Sequence, residues 1–401
     1  MKILVLSPFN PKFLQEYLDS QVAKDINISA NSVHTTIEGF IKMGHDVIIV
    51  TLDMASRSSK YYYGKQVQIY VVGGRFLFSY FNYAPLHTIL AHKMIRVIDK
   101  MVLDFDVIFA NWSYEYSLAA LRYKCTRPVI SVVRDWAPYI IKGVHIYLKP
   151  FWLRRIKLQK KILLDKKITI IANSIYTKER INSICPDREI KIIPNPIKKN
   201  FIIDKSIKKE KKYTFITLSA TLTSKRKNIE GLLIAFSKFR EEYTQATLAI
   251  VGPPINHTKL YRKWNNSGLL KNVFFLGSML HEQVINAIDD SLIMVHPSLE
   301  ETFGNTLIEA MARCVPVIAG KDSGAVPWVL DYGNCGILCD VNDSDDLCKK
   351  MITLYTDKNL QSSVVKSATL YLNNKFVDNI VCESFVELFN NCIYESLSCK
   401  S

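Results

Sequence analysis

The sequence predicts an α/β protein of two doubly wound domains in series, and three observations predict it. At 401 residues the chain exceeds what one ordinary hydrophobic core serves, so two domains of about 150–200 residues are expected. Short, nearly continuous apolar runs alternate with stretches of helical period, the pattern of parallel strands covered by helices on both faces. The rhythm breaks at a proline-punctuated, lysine-dense stretch, PNPIKKNFIIDKSIKKEKK (194–212), and then restarts; such a composition reads as a connection.

In the first half the strand candidates are 2–7, 46–52 (DVIIVTL), 68–72, 106–110 (DVIFA), 128–133 (PVISVV) and 169–172. A helix at roughly 32–43 ends at the stop signal Gly44-His45. After the break, TFITLSA (214–220) precedes a helix with Ile229, Leu232, Leu233, Phe236 and Phe239 on one face. Further strands are expected at 246–252 (ATLAIVG), 272–277 (NVFFLG), 292–298 (LIMVHPS), 315–320 (VPVIAG) and 336–340 (GILCD). The expected organisation is a first domain over 1–196, a connection over 197–212 and a second domain over 213–375. A terminal helix over 376–401 is expected to pack back on the first domain.

Bulk properties narrow the class. The chain is 48% apolar and 22% charged, ordinary for a globular protein and far from disorder. Nine cysteines are scattered without metal-ligand spacing, which reads as reduced thiols of a cytosolic protein. MKILVLSPF is a first strand and not a signal peptide, and no run approaches the roughly 18 apolar residues of a membrane span. The expectation is a soluble, cytoplasmic protein. Its net charge of +15, from 52 basic and 37 acidic side chains, favours a polyanionic surface or substrate. No RNA- or DNA-binding motif accompanies that charge, so a nucleic-acid partner is not expected.

The most informative stretch is HPSLEETFGNTLIEAMARCVPVIAG, from His296 to Gly320. LIMVHPS is a strand, LEETFG the loop at its carboxyl end, and a helix begins near Asn305. Ligands of open α/β sheets bind outside the carboxyl ends of the strands. Free N–H groups at a helix start favour an anion such as phosphate. Glu301 in the loop and Glu309 in the helix can accept hydrogen bonds from hydroxyls, so the ensemble suits a phosphate bearing a sugar at each end, a nucleotide sugar. On spacing alone, the two carboxylates serve equally well as stabilisers of the helix start.

The stretch resembles the signature of retaining glycosyltransferases of the family-4 type. Pro297-Ser298, Glu301, Phe303-Gly304, Glu309-Ala310-Met311-Ala312 and Pro316-Val317-Ile318 are all in register with that pattern. Lesser matches extend over nearly the whole chain: MKILVLSPF and Gly44-His45-Asp46-Val47, IIANSIYTKERI and IKIIPNPI, RKNIEGLLIAF and LAIVGPP. The resemblance implies the GT-B fold, two facing Rossmann-like domains with an interdomain cleft. It also implies transfer of a sugar from a UDP- or GDP-linked donor to a glycan or lipid-linked acceptor, with retention, as in bacterial surface polysaccharide synthesis. Another GT-B enzyme, such as a nucleotide-sugar epimerase, is the alternative.

The resemblance also implies roles. Lys227, with Arg226, would neutralise the leaving diphosphate together with the helix N–H groups after Gly304; fixed positive groups there stabilise the transition state without reorganising. Glu301 would lie at the transferred sugar and Glu309 at the ribose. Phe303, Gly304, Asn305 and Thr306 would line the donor site, with glycine permitting close approach. Asp135, Arg134 and Asn31 are acceptor-side candidates. The chain departs from the family in several places: NISANS lacks the usual glycine pair, Thr221 and Leu222 stand in the usual arginine region, Cys314 replaces a glycine and Trp328 a glutamate. No cofactor and no metal are expected. Asp104-Phe105-Asp106 matches an Asp-x-Asp metal motif but opens a strand, and Asp340, Asn342 and Asp343 lack the rest of a calcium loop.

One segment concentrates charge. LKPFWLRRIKLQKKILLDKK (148–167) carries eight basic residues and one acidic. As a helix it has one stripe of Trp152, Leu153, Ile156, Leu163 and Leu164 and another of Phe151, Leu158 and Ile162. One stripe packs on the domain; the other, flanked by lysines, suits peripheral contact with an anionic membrane on the cytoplasmic face of the inner membrane.

Overall fold

In a computed structural model, which describes residues 1–22, 31–75, 86–101, 104–203 and 210–398, the chain divides into two compact units. The first comprises Met1–Pro196 with Asp378–Ser401, the second Ile197–Val377.

The first unit is built on β1 (Lys2–Leu6), β2 (Asp46–Asp53), β3 (Lys60–Tyr63), β4 (Val67–Gly73), β5 (Val107–Asn111), β6 (Val129–Val133), β7 (Ile168–Ala172) and β8 (Lys191–Ile192). Among the described residues the strand order is β3-β4-β2-β1-β5-β6-β7-β8, parallel except where β3 meets β4. Alternate residues of a strand point to opposite faces. Ile3 and Val5 of β1 accordingly join one core layer and Leu4 and Leu6 the other, which is why β1 reads as a continuous apolar run. Of the two strands without a sequence signal, β3 is the half-exposed KYYY at the sheet edge, and β8 is two residues long.

The helix Asp378–Ser398 covers one face of this sheet. Its Phe385 and Phe389 meet Phe40 at 6.1 and 5.6 Å and Phe109 at 5.1 and 5.3 Å. Against it lies the helix Asn31–Lys42, where Gly39 permits a close approach: a Cβ there would stand 2.3 Å from Cys382 Sγ.

The second unit holds β9 (Tyr213–Leu218), β10 (Leu248–Val251), β11 (Val273–Gly277), β12 (Ser291–His296), β13 (Val317–Gly320) and β14 (Ile337–Cys339). They form a parallel sheet in the order β11-β10-β9-β12-β13-β14. Phe215, Ile250, Val295 and Ile318 face one layer, and Ile216, Ala249, Met294 and Val317 the other. The chain winds from β9 outward through β10 to β11, then returns to β12 beside β9 and winds the other way. The crevice between the carboxyl ends of β9 and β12 is the switch point at which such sheets bind ligands.

Part of the segment expected as a connection belongs to this unit. The Ile197 N–H donates to Phe376 O at 2.8 Å and that of Ile203 to Ala312 O at 3.0 Å, because Ile197, Phe201 and Ile202 are apolar and pack on its core. Among the described residues no helix is long and apolar enough to cross a membrane.

Candidate active site

Two loops meet at the switch point of the second unit. After β9 the chain runs through a short 3-10 turn, Lys225–Lys227, to Asn228, which takes the left-handed conformation at φ +49° and starts the helix Ile229–Glu242. Asparagine tolerates that conformation, and its Nδ2 donates to Val341 O at 2.6 Å, anchoring the turn. After β12 runs the loop Pro297–Gly304. The two are joined by a backbone hydrogen bond from Leu299 N–H to Arg226 O at 2.8 Å.

Their side chains converge on Glu301. Lys227 Nζ donates to Glu301 Oε1 at 2.5 Å, and Arg226 Nη1 lies 3.6 Å from Oε2. Arg226 Nη1 also donates to the Glu300 carbonyl at 2.9 Å. His296, the last residue of β12, places Nε2 3.3 Å from Glu301 Oε1, a contact that stops short of a completed hydrogen bond. Burial alone would raise the Glu301 carboxyl, yet Lys227, His296 and Arg226 together hold it well below the usual carboxylate range. The backbone is held as well: Glu301 N–H donates to Ser323 O at 3.2 Å, and Ala325 N–H to Glu301 O at 2.9 Å.

Gly304 turns the loop into the helix Asn305–Ala312. Its φ is +91°, and a Cβ there would stand 2.8 Å from Leu307 Cδ1, so both conformation and space require glycine. Early N–H groups of this helix lack intrahelical acceptors and carry partial positive charge beside Glu301. Thr306, in the first turn, has Oγ1 3.2 Å from His296 Nδ1. Glu309, one turn on and buried, has Oε1 3.2 Å from Nε2 of His281, which begins the helix His281–Asp289. Phe303 is a core side chain, 6.3 Å from Trp328 and 5.6 Å from Phe376, so it offers the site its backbone only.

The structure thus brings together Lys227, Arg226, Glu301, Gly304 and Thr306, with Glu309 on the same helix. Sequence reasoning missed His296 and His281. A polar residue closing an apolar strand was the available signal for His296, and a histidine opening a helix for His281. Leu222, in the place of the usual arginine, is buried against Gly252, and Arg226 reaches the acidic loop instead. Cys314, in the place of a glycine, keeps the left-handed backbone at φ +53° and donates its thiol to Ile203 O at 3.1 Å.

In the first unit, Arg134 and Asp135 follow β6. Arg134 is buried; Nε donates to Asn111 Oδ1 at 2.9 Å, and Nη1 donates to Asn195 Oδ1 and, at 3.4 Å, to Ser32 Oγ. Burial lowers its pKa to about 10. Asp135 accepts from Tyr114 Oη at 2.8 Å. Asn31 opens a helix, but its side chain lies outside the described residues, as do residues 27–30 of the NISANS segment. Asp106 Oδ2 accepts the Lys2 N–H at 2.7 Å, joining β1 to the start of β5. Asp104 is 82% exposed, 3.7 Å from Arg127. Among the described residues no group of three or more His, Cys, Asp or Glu is arranged to hold a metal.

The basic segment is the helix Lys149–Leu164, and the stripes expected of it need correction. Leu158, Ile162 and Leu163 join the core together, since consecutive residues both fall within a wide core-facing sector. Phe151 and Trp152 instead flank Arg155, 4.8 and 5.2 Å from its guanidinium carbon. Leu153 and Leu164 remain exposed, with Ile146 and Tyr147 just upstream at 70% exposure.

Comparison with known proteins decides the family. Residues 29–201 match the model of Glycosyltransferase Family 4, and residues 198–370 that of Glycosyl transferases group 1. The chain belongs to the family-4 type of glycosyltransferases. This glycosyltransferase is 23% identical over 366 residues to the N-acetyl-alpha-D-glucosaminyl L-malate synthase of Bacillus anthracis, covering 89% of this chain and 92% of that one. Its fold is similar to that of sucrose-phosphate synthase from Thermosynechococcus elongatus, at TM-score 0.77 and 16% identity, over 100% of this chain and 99% of the other. It is also similar to Anabaena HepE solved with UDP-glucose, at TM-score 0.68 and 18% identity, over 98% of this chain and 100% of that one. These are GT-B proteins, and the two parallel-sheet units of this glycosyltransferase are Rossmann-like domains of that fold.

Proposed function

We propose that this glycosyltransferase takes a hexose-type sugar from a UDP- or GDP-linked donor and passes it, with retention and without a metal, to a hydroxyl of a glycan or lipid-linked acceptor. The observation that carries the reading is the convergence of Lys227 and Arg226 with Glu301 beside the helix start at Gly304, at the switch point of the second sheet. Cleavage of the sugar–diphosphate bond leaves growing negative charge on the phosphate, which the two cations and the N–H groups of the first helical turn neutralise. With cations already there, the phosphate needs no metal. Glu301, kept ionised, serves the sugar hydroxyls and a developing positive charge at the anomeric carbon, and Glu309 serves the ribose. The UDP-glucose complex of one structural neighbour and the alpha-D-glucosaminyl product naming one relative support such a donor.

Arg134 and Asp135 are the proposed acceptor-side residues. Exposed Ile146, Tyr147, Leu153 and Leu164, set among Lys149, Lys157, Lys160 and Lys161, support peripheral contact with an anionic membrane, the place for a lipid-linked acceptor. Cytoplasmic and peripheral localisation, and a part in surface polysaccharide synthesis, belong to the same reading.

A thermal-shift screen of UDP- and GDP-sugars tests it, because a ligand bound only by the folded state raises the melting temperature. Stabilisation by one nucleotide class, undiminished in EDTA, is expected, and the anomeric configuration of the product then reads retention. The epimerase alternative releases nucleotide from the donor without any acceptor.

A further inference from the structure

Lys227 has two claims on one ammonium group. Its Nζ lies 2.5 Å from Glu301 Oε1, while the proposed chemistry draws it toward the leaving diphosphate as charge grows there. When it turns, a buried carboxylate loses its shortest contact, and an ionised group left short of partners away from water is costly. A replacement donor stands beside the same oxygen. His296 is 3% exposed, with Nε2 3.3 Å from Glu301 Oε1, and among the described residues no acceptor completes a hydrogen bond with that nitrogen. The other ring nitrogen, Nδ1, is 3.2 Å from Thr306 Oγ1. With the hydroxyl donating to Nδ1, the ring proton sits on Nε2 and faces the carboxylate; the reverse tautomer would set two lone pairs against each other.

We propose that His296 is a positioning residue that takes over Glu301 Oε1 when Lys227 turns to the diphosphate, while its other nitrogen holds the Thr306 hydroxyl at the helix start. This rests on the reading of Lys227 as the diphosphate clamp. The exchange keeps Glu301 ionised and in place through the step, and it couples nucleotide binding to the histidine beside the carboxylate. Glu301 from the loop and Thr306 from the helix stand against the ring, and Lys227 and Arg226 share Glu301 with it.

Calorimetric titration of the full chain with UDP, and GDP in parallel, tests the proposal without an acceptor. His296→Asn keeps a polar group near Nδ1 but has no donor at Nε2, so affinity for the nucleotide falls about tenfold, the scale of one hydrogen bond to a charged group. His296→Gln reaches the Nε2 position, and its affinity stays within about threefold of wild type. In a Glu301→Gln background the two substitutions bind the nucleotide alike, since no carboxylate is left to hold. Equal affinities of the two variants beside Glu301, or a difference that persists beside Gln, would overturn the proposal. Failure of the wild type to bind either nucleotide, or wild-type affinity in Lys227→Ala, would instead bring down the donor-site reading, and this proposal with it.

Discussion

Glu301 in the second unit and Arg134 in the first are both buried charges at the carboxyl end of a central strand, and they are stabilised in opposite ways. Glu301 is ringed by Lys227, Arg226 and His296, which more than offset its burial and hold its carboxyl well below the usual range. Arg134 is held by neutral oxygens of Asn111, Asn195 and Ser32, and burial pulls its pKa down to about 10. A carboxylate surrounded by cations can trade one partner for another, as a reacting site requires. A guanidinium held by neutral oxygens has no partner charge to trade, and its fork fixes where those oxygens must stand. The first arrangement suits the proposed donor chemistry, and the second holds the shape of the proposed acceptor side.

Breaking the first arrangement has the largest expected effect. Lys227→Ala removes both the short contact to Glu301 and the proposed phosphate clamp, so kcat should fall about 10²–10³, or roughly 3–4 kcal/mol. If Arg226 serves the same phosphate, the Lys227→Ala/Arg226→Ala double variant loses less than the sum of the singles. Steady-state rates within twofold of wild type for all three would reduce the cluster to a solvated turn.

Breaking the second should show in stability first. Arg134→Met leaves the Asn111 and Asn195 oxygens without their donor, at a cost of about 2–3 kcal/mol in urea unfolding. Unchanged stability would mean that the amides find other donors and that the contrast between the regions is overstated. Glu309 sharpens the comparison from a third side, being a buried carboxylate on the helix Asn305–Ala312 with His281 at 3.2 Å. A ribose contact is much the same in ground and transition states. Glu309→Ala should therefore weaken nucleotide binding about tenfold and change kcat at saturating donor by less than about threefold. Isothermal titration that finds wild-type affinity would remove Glu309 from the ribose.

How much of this was legible in the sequence follows from what each feature depends on. Strands buried on both faces, such as β1, β9 and β12, announced themselves as apolar runs, and the loop with Glu301 and Gly304 did so by its spacing. β3 did not, because Tyr61 and Tyr63 are exposed at a sheet edge and the pattern there is neither continuous nor cleanly alternating. Lys227 was found, but its pairing with Glu301, 74 residues on, depends on the backbone bond between Leu299 and Arg226, which no local pattern encodes. The role of His296 stayed hidden because a histidine ending a strand gains meaning only from Thr306 on the helix beside it.

The smallest expected effect is in the pH dependence of stability, and there the two regions separate without any assay of turnover. Glu301 has a folded-state pKa held below its unfolded value, near 4.5. Its contribution to stability is therefore fully present above about pH 4.5 and is lost as pH falls through the lower folded-state value. Arg134 has its pKa lowered only to about 10, so it stays charged in both states at every pH below that and adds no slope. The Tm difference between wild type and Glu301→Gln should then be flat from about pH 5.5 to 8 and shift against the wild type below about pH 4.5. The corresponding difference for Arg134→Met should stay flat over the whole range. Melting curves by circular dichroism at half-unit pH intervals give both comparisons. A Glu301→Gln difference that stays constant down to about pH 3 would mean that Lys227, Arg226 and His296 do not favour the ionised carboxylate in the folded chain. The contrast between an anion held by charged partners and a cation held by neutral oxygens would then fail at its better-defined end.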